Sequence, residues 1–564
     1  METVSLILLL LLAAVLSDLL SRALASSLPF TIPKPLIQVA FGAAMGLFPS
    51  LVTTLEPEVF FLLLLAPLLF LDGWRMPGEE LFKDRGIVVQ LALGLVVFTV
   101  LGVGLFLHML IPAIPLPVAF ALAAVLSPTD PIAVSAIARR VPMPPRMMQI
   151  LEGESLLNDA SGLVCFKLAV AAMLTGSFSI QVAVFDFAWL AAAGVATGVG
   201  LTLLLTGLKN AATRMLGEAS GAQILISLLI PFGCYLLAER LGGSGVLAAV
   251  AGGLTMAVVE SSGKASANTR IRRSTFWDVI SFAANGVVFV LLGEQLHGIV
   301  SEFKEAAPGS GLDGVAWLGL GVVAITAALV ALRFVWVYVS LRLRLFRRGK
   351  KSQAQAQAQS QAQSQAQAGS QDVPWRMIAV MSLAGVRGAV SLAGVLGLPL
   401  LLPDGAPFPA RTLAIALAMG VIGLSLVLAA VALPLLLNGL VQTEDAAQVL
   451  EENVARLGAA RAAMAAIENL ERERPADHPD AALYTAAAAR LLVQYRTRID
   501  SRSGSVEAVA QAQRVDIIEG EMRLAALRAE RNTLFRELRA RRLGSRTARK
   551  LVRELDLMET HHLS

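Results

Sequence analysis

The chain has 564 residues, of which 56% are hydrophobic and only 16% are charged. Because soluble domains carry about 25% charged residues, this composition excludes a protein that is soluble along its whole length. The formal net charge of +5 does not indicate a nucleic-acid partner, because the basic residues lie in short loops between apolar runs.

About thirteen apolar runs follow one another through residues 1–440, each suited to a transmembrane helix of about 20 residues. The first run is interpreted as a retained span, because no basic segment precedes it and no cleavage site follows it. We number the runs as spans 1 to 13, at about residues 3–21, 35–54, 57–73, 86–110, 115–138, 150–174, 183–207, 219–238, 244–262, 277–299, 314–341, 375–401 and 410–440.

Basic residues concentrate in alternate loops between these spans. The loops after spans 1, 3, 5, 7, 9 and 11 carry nearly all of the loop Lys and Arg, whereas the opposite loops hold only Arg240, Lys304 and Arg411. By the positive-inside rule, this asymmetry predicts an outside N-terminus and a cytoplasmic C-terminal tail.

Two regions differ in composition from the spans. Residues 351–371 alternate Gln, Ala and Ser, which predicts a flexible cytoplasmic loop with nothing to bury; a coiled or aggregation-prone segment is the alternative. Residues 443–564 repeat apolar residues at three- and four-residue steps with charges between them, which indicates a packed helical domain. A role of this tail in regulation or dimerisation stays open. The two cysteines, Cys165 and Cys234, lie within spans and predict neither a disulfide framework nor a zinc site.

Span 5 contains the interrupted segment AVLSPTDPIAV. Pro128 and Pro131 flank Thr129 and Asp130, and each proline removes a backbone donor and disfavours a continuous helix by about 3 kcal/mol. We expect two half-helices joined by unwound backbone, which is tolerated at membrane depth only where it is buried or lines a cavity. Asp130 is suited to facing the positive N-terminal end of a half-helix.

Span 12 contains a second interruption, MSLAGVRGAVSLAGV. Gly385, Gly388 and Gly394 loosen the helix, and Arg387 is a fixed cation suited to facing helix C-terminal ends. Span 5 is the fifth of spans 1–6, and span 12 is the fifth of spans 8–13. Broken helices at matching positions of two halves indicate an inverted-repeat transporter with its binding site at the crossing.

Span 6 carries ionisable residues in the stretch LEGESLLNDASGLVCFK. Ser155 and Asp159 are four residues apart and share a helix face, as do Glu154 and Asn158. At helical rise, Asp159 lies about 13 Å from the cytoplasmic end, near the bilayer midplane. Glu154 lies closer to the cytoplasm, where an ion pair with Arg333 of span 11 lowers the cost of burying both charges.

Oxygen ligands from Asp159, Ser155, Thr129 and Asp130 favour hard monovalent cations over soft metals. One carboxylate that holds either a proton or a cation, but not both, is sufficient for antiport. The alternative for Asp159 is a structural hydrogen bond between helices. The role of Lys167, two turns further along span 6, stays undecided between the site and the outer surface.

Two other functional classes fit the sequence less well. An intramembrane aspartyl hydrolase using Asp130 and Asp159 is disfavoured because no G-x-G-D sequence occurs, and a cation channel because no T-V-G-Y-G-like filter occurs. The absence of a G-x-x-x-x-G-K-[ST] loop indicates that ion gradients, not ATP, supply the energy.

Five segments together carry a family resemblance: SPTDPIAV, LEGESLLNDASG, GVRGAVSLA, WDVISFAANGVVFVLLG and PLLFLDGWRM. They resemble the monovalent cation–proton antiporter family, in its NhaP-like and Na⁺/H⁺-exchanger-like bacterial branch, over residues 1–440. The resemblance implies a fold of thirteen helices, in which a core domain moves against a dimerisation domain of a homodimer in the cell (inner) membrane.

The resemblance also implies roles for particular residues. Asn158 and Asp159 match the family's Asn-Asp pair, with Asp159 as the carrier of cation or proton. Thr129, Asp130 and Ser155 are implied ligands, Glu154 and Arg333 an implied structural pair, and Arg387 an implied charge at the helix crossing.

The Asn-Asp form is similar to that of members that exchange one cation for one proton. We therefore expect a transporter rather than an enzyme, without cofactors, that exchanges Na⁺ or Li⁺ for H⁺ and serves pH homeostasis. K⁺/H⁺ exchange is the alternative within the family.

Overall fold

The structure is a computed structural model, which describes residues 2–27, 33–48, 57–76, 90–131, 134–135, 143–176, 180–217, 219–261, 267–306, 311–358, 375–438, 446–472, 480–502, 506–540 and 542–563. The chain divides into two compact units, Met1–Leu440 and Val441–Ser564. The first holds the apolar spans and the second holds the tail.

Each predicted span coincides with a helix or with an interrupted helix in the described part of the chain. Span 3 consists of Pro57–Phe60, the π-helical turn Phe61–Leu65 and Ala66–Arg75; span 4 of the π-helical turn Gln90–Gly94 and Leu95–Leu110; and span 12 of Trp375–Leu383 and Ala389–Leu396. Spans 1, 2 and 5 to 11, and span 13, include the helices Glu2–Ser27, Lys34–Met45, Leu116–Leu126, Pro145–Thr175, Ile180–Leu216, Ser220–Arg240, Gly245–Ser261, Ala267–Ala306, Gly311–Ala358 and Arg411–Leu437.

The described helices confirm an all-α membrane fold. Seven of them, in spans 1, 6, 7, 8, 10, 11 and 13, are long and apolar enough to cross a membrane, and spans 4, 5 and 9 contribute shorter apolar helices. The one β-pairing among the described residues is an isolated bridge between Leu401 and Pro407, in the connection between spans 12 and 13.

The prediction of a loop over residues 351–371 is wrong at its beginning. The helix of span 11 continues to Ala358, eight residues into the segment. Gln and Ala are good helix formers, and extending an existing helix needs no new nucleation, so the helix propagates past the apolar residues. The rest of the predicted loop lies outside the described residues.

The packing of the spans follows the predicted inverted repeat. If spans 1–6 correspond to spans 8–13, span 2 corresponds to span 9 and span 3 to span 10. Span 2 packs along span 10, and span 3 packs along span 9. The contact between spans 2 and 10 in one half therefore has its repeat-related equivalent in the contact between spans 9 and 3. Likewise span 5 packs between spans 4 and 6, and span 12 between spans 11 and 13.

These contacts define two bundles. The scaffold bundle comprises spans 1, 2, 3, 8, 9 and 10, and the core bundle comprises spans 4, 5, 6, 11, 12 and 13. Both interrupted helices belong to the core bundle. Span 7 packs on spans 8 and 9 of the scaffold bundle.

Glycines bring the scaffold helices into backbone contact. A side chain at Gly253 of span 9 would lie 2.9 Å from the main-chain nitrogen of Trp74, and one at Gly293 of span 10 would lie 2.7 Å from that of Ala43. Small residues at such contacts are the usual means of packing helices in a membrane, where burial away from water supplies little driving force.

The tail unit contains the helices Ala446–Arg472, Ala481–Arg502, Val506–Arg539 and Ser545–Leu563. Each packs against the next one along the chain. Arg531 pairs with Asp556 at 3.0 Å between the last two helices.

Candidate functional site

The breaks in spans 5 and 12 meet. The helix Leu116–Leu126 ends before Pro128, and the non-helical residue Asp130 donates its backbone N–H to the carbonyl of Val386, at 2.6 Å. Val386 lies between the two helices of span 12, so the unwound backbone of one half satisfies that of the other. Non-helical backbone at membrane depth needs hydrogen-bond partners within the protein, and this pairing supplies one.

Gly388 permits the close approach of the two breaks. It directly precedes the helix Ala389–Leu396, and any side chain at this position would overlap the side chain of Asp130. The Asp130 carboxylate therefore lies beside the N-terminal end of that helix, where the helix dipole favours negative charge.

Arg387 holds the opposite charge at the same crossing. Its Nε donates to the carbonyl of Leu126, the last residue of the first half of span 5, at 2.9 Å. Its backbone N–H donates to Ser425 Oγ of span 13 at 3.1 Å, and its Nη1 donates to the carbonyl of Gly385. A fixed guanidinium thus offsets the partial negative charge of a helix C-terminus.

Two side chains of span 6 hold Thr129. Ser155 Oγ donates to the Thr129 carbonyl at 2.5 Å, and Asn158 Nδ2 donates to Thr129 Oγ1 at 2.9 Å. Ser155 and Asn158 share one region of span 6 because they are three residues apart. The break in span 5 is therefore fastened to span 6 as well as to span 12.

A small cavity of about 30 Å³ lies at this junction. Since a water needs about 10–15 Å³ on the same measure, the cavity has room for a water or an ion of similar size. The lining residues are Leu65, Leu68, Leu69, Asp72, Pro128, Thr129, Asp130, Pro131, Ser155, Asp159, Gly388, Ala389, Val390 and Ser391.

Four of the five predicted ligand residues line the cavity, namely Asp159, Asp130, Thr129 and Ser155. The fifth, Asn158, reaches the site through its hydrogen bond to Thr129. The Asp159 residue is 7% exposed and lines this cavity. The arrangement offers carboxylate, hydroxyl and carbonyl oxygens, the ligand types that hard cations prefer.

Glu154 and Arg333 form a separate, buried ion pair. Both terminal nitrogens of Arg333 donate to the Glu154 carboxylate, Nη2 to Oε2 at 2.8 Å, and Arg333 Nε donates to the carbonyl of Met381 at 3.0 Å. The side chains are 0% and 3% exposed. This pair joins spans 6, 11 and 12 of the core bundle and does not line the cavity.

Lys167 lies outside the site. Its Nζ contacts both carboxylate oxygens of Glu239 in span 8, at 2.9 and 3.1 Å. Glu239 Oε1 also accepts the backbone N–H of Gly245 at the start of span 9, at 3.1 Å. Lys167 thus connects span 6 of the core bundle to the scaffold bundle through a solvent-exposed ion pair.

Two cavity residues were missed from the sequence. Asp72 of span 3 brings a third carboxylate, from the scaffold bundle, and its signal was the acidic residue within PLLFLDGWRM. Ser391 of span 12 brings a hydroxyl, but a serine in a membrane helix carries no such signal, because it commonly bonds to its own helix.

The chain is similar to known transporters. The profile of the family described as "Sodium/hydrogen exchanger, transmembrane" matches residues 7–439. An uncharacterized Na⁺/H⁺ exchanger of Escherichia coli K12, YjcE, is 39% identical over 565 residues, which cover 99% of this chain and 98% of the relative. A sodium, potassium, lithium and rubidium/H⁺ antiporter of Bacillus pumilus is 43% identical over 410 residues, 72% of this chain and 58% of the relative.

The fold has a solved counterpart. The sodium proton antiporter MjNhaP1 of Methanocaldococcus jannaschii superimposes with a TM-score of 0.56 at 20% sequence identity. The match covers 78% of this chain and 99% of that structure. At this identity the likeness establishes the antiporter fold.

Proposed function

We propose a specific exchange reaction for this chain, which belongs to the sodium/hydrogen exchanger family and is a membrane-embedded cation/proton antiporter rather than an enzyme. The reaction is the exchange of one Na⁺ or Li⁺ for one H⁺ by alternating access. Asp159 carries either the cation or the proton, and Asp130, Thr129 and Ser155 complete the cation site.

The observation that carries this proposal is the cavity at the crossing of the two broken helices. A carboxylate at this position faces a space of ionic size, whereas the buried carboxylate of Glu154 is occupied by Arg333. An anionic side chain without a fixed cation partner binds a mobile one, and protonation removes its charge and releases the cation.

The test uses purified protein in liposomes with a pH-sensitive dye inside. A Na⁺ gradient is expected to drive proton movement with the wild-type protein, and Asp159→Asn is expected to reduce this movement to the level of empty liposomes. Asp404→Asn is the matched control, because Asp404 is exposed in the connection between spans 12 and 13. Undiminished Na⁺-driven proton movement in Asp159→Asn would contradict the proposal.

The charges at the site support the proposed 1:1 stoichiometry. Asn158 is neutral and donates to Thr129, and Asp130 lies at a helix N-terminus that favours its anionic form. With Asp130 and the third cavity carboxylate, Asp72, unchanged through the cycle, Asp159 exchanges one bound cation for one bound proton. Electrical recording on supported membranes is expected to detect no net charge transfer, and a sustained Na⁺-driven current would overturn the 1:1 ratio.

K⁺ is the second candidate substrate. The Bacillus pumilus relative is named for sodium, potassium, lithium and rubidium together, which favours a site that accepts several alkali cations. Gradients of Na⁺, Li⁺, K⁺ and Rb⁺ imposed in turn distinguish the two reactions by their half-saturating concentrations.

The loop charges support an orientation with the N-terminus outside and the tail in the cytoplasm. The proposed exchange would regulate the pH of that cytoplasm. An impermeant thiol reagent on intact cells is then expected to modify Asp404→Cys but not Ser501→Cys, and the reverse pattern would contradict this topology.

We expect a homodimer in the cell membrane, and light scattering of the detergent-solubilised protein should give twice the chain mass of 59.5 kDa.

A further inference from the structure

The cavity contains a hydroxyl that the proposed mechanism does not use. Ser391 lies in the first turn of the helix Ala389–Leu396, is 1% exposed and lines the cavity. Its Oγ has no hydrogen-bond partner among the described residues. A buried hydroxyl without a partner lowers stability, so an occupant of the cavity is needed to satisfy it.

Two other buried serines in the core bundle, Ser382 and Ser425, are satisfied within their own helices. Ser382, in the first helix of span 12, donates to the carbonyl of Ile378 at 2.7 Å. Ser425 of span 13 donates to the carbonyl of Ile422 at 2.8 Å. Back-bonding of this kind is the usual behaviour of serine in helices. Ser391 departs from it at the position where the helix meets the cavity.

Ser391 also lies near the anionic part of the site. It is three residues after Gly388, hence on the same helix face, and the Asp130 side chain packs against Gly388. The same cavity is lined by Asp159 and Thr129. Hard cations take several oxygen ligands, and a serine hydroxyl is one of the ligand types they accept.

We infer that Ser391 is a ligand of the transported cation and helps to determine which alkali cation is accepted. This inference rests on the proposed function and adds a ligand from span 12 to those from spans 5 and 6. The cation then bridges the two halves of the protein at their crossing. A proton needs only the Asp159 carboxylate, so Ser391 affects cation binding more than proton binding.

Transport kinetics of the full-length protein in liposomes test the inference. Ser391→Ala is expected to raise the half-saturating concentration of the preferred cation about five- to tenfold, the effect of losing one polar contact, with unequal changes for Li⁺, Na⁺, K⁺ and Rb⁺. The half-saturating proton concentration is expected to change less than about twofold. Ser391→Thr, which retains a hydroxyl, should restore part of the cation affinity.

Ser382→Ala is the matched control, because Ser382 is equally buried in the same interrupted span but lies outside the cavity lining. It is expected to keep wild-type affinities for all four cations. If the wild-type protein fails to exchange cations for protons, the proposed function is wrong. If the wild type exchanges and Ser391→Ala keeps every wild-type affinity, only the inference is wrong, and a water satisfies the hydroxyl.

Thermal unfolding in detergent supplies a readout that does not depend on transport. Without alkali cations, Ser391→Ala should unfold at or above the wild-type temperature, because the hydroxyl has no partner within the described protein. Added cation should stabilise the variant less than it stabilises the wild type, since stabilisation by a ligand follows its affinity. A variant that cannot be purified in folded form, or that is stabilised by cation as strongly as the wild type, would contradict the inference.

Discussion

At the scale of single residues, two acidic side chains five residues apart on one helix have different surroundings. Glu154 accepts hydrogen bonds from both terminal nitrogens of Arg333, whereas Asp159 lines a cavity. A charge with a fixed partner stabilises one arrangement of helices, and a charge beside an open space is available to a mobile ion. The surroundings, not the residue type, distinguish Glu154, which has a fixed partner, from Asp159, for which we propose the exchange role.

The ion pair of Glu154 and Arg333 predicts a stability pattern. Arg333→Met leaves the buried Glu154 charge unpaired and is expected to destabilise the protein by about 3–5 kcal/mol. Adding Glu154→Gln removes that charge and should recover most of the loss. Thermal unfolding of the purified variants measures both effects.

The exposed pair of Lys167 and Glu239 is the control for this prediction. The two side chains are 45% and 36% exposed. Breaking such a pair with Lys167→Met should cost less than about 1 kcal/mol. If Arg333→Met were no more destabilising than Lys167→Met, the buried pair would not have the structural role assigned to it.

The sequence allowed the charged residues to be predicted more readily than the neutral ones. Asp159, Asp130 and Arg387 stand out because an ionisable group within an apolar run is costly and needs a reason. Ser391 does not stand out, because its missing hydrogen bond depends on three-dimensional surroundings. Asp72 lies within a segment that carried the resemblance, but its approach to spans 5 and 6 depends on how the two bundles pack.

At the scale of helices, prolines and glycines marked the breaks in spans 5 and 12 because these residues act on the backbone itself. The π-helical turns of spans 3 and 4 were not predicted, since their residues FLLLL and QLALG are ordinary for an apolar helix. The end of span 11 was also misjudged, because a polar repeat that favours solvent can still extend a helix.

Helix contacts in the scaffold bundle predict the effect of adding a methyl group. Gly253→Ala places a carbon 2.9 Å from the main-chain nitrogen of Trp74, and backbone cannot move aside without separating spans 3 and 9. The expected cost is about 1–3 kcal/mol of unfolding free energy. Thermal unfolding in detergent measures it.

Gly207→Ala is the control for this prediction, because it is not expected to lower the free energy of unfolding. A side chain added at Gly207 of span 7 would have no atom of another described segment within 4 Å. Alanine favours helix over glycine by about 1 kcal/mol, so this variant should be as stable as the wild type or more stable. Equal destabilisation by the two substitutions would show that backbone contact between spans 3 and 9 is not the cause.

At the scale of the whole molecule, the cavity receives residues from both bundles and from both repeats. Asp72 comes from the scaffold bundle, Asp130 and Asp159 from the first half of the core bundle, and Ser391 from the second half. A site bounded by two bundles changes its access to solvent when one bundle shifts against the other, which is how inverted-repeat transporters alternate access.

The division into two units predicts that the tail is dispensable for exchange. The described residues that line the cavity lie between Leu65 and Ser391, within the first unit, which ends at Leu440. A protein truncated after Leu440 should retain Na⁺-driven proton movement in liposomes, with a half-saturating cation concentration close to that of the full chain. Complete loss of exchange in a truncated protein that remains folded would assign the tail an essential part in transport.

The competition between cation and proton at Asp159 is tested most directly by the pH dependence of the half-saturating Na⁺ concentration. If one carboxylate holds either ion, the half-saturating Na⁺ concentration should rise about tenfold for each unit by which the pH falls below the range in which Asp159 becomes protonated, because the proton must leave before Na⁺ binds. The maximal rate, measured at a saturating Na⁺ concentration at each pH, should change much less than the half-saturating concentration. A half-saturating Na⁺ concentration that stays constant across the whole pH range of activity would contradict a shared site.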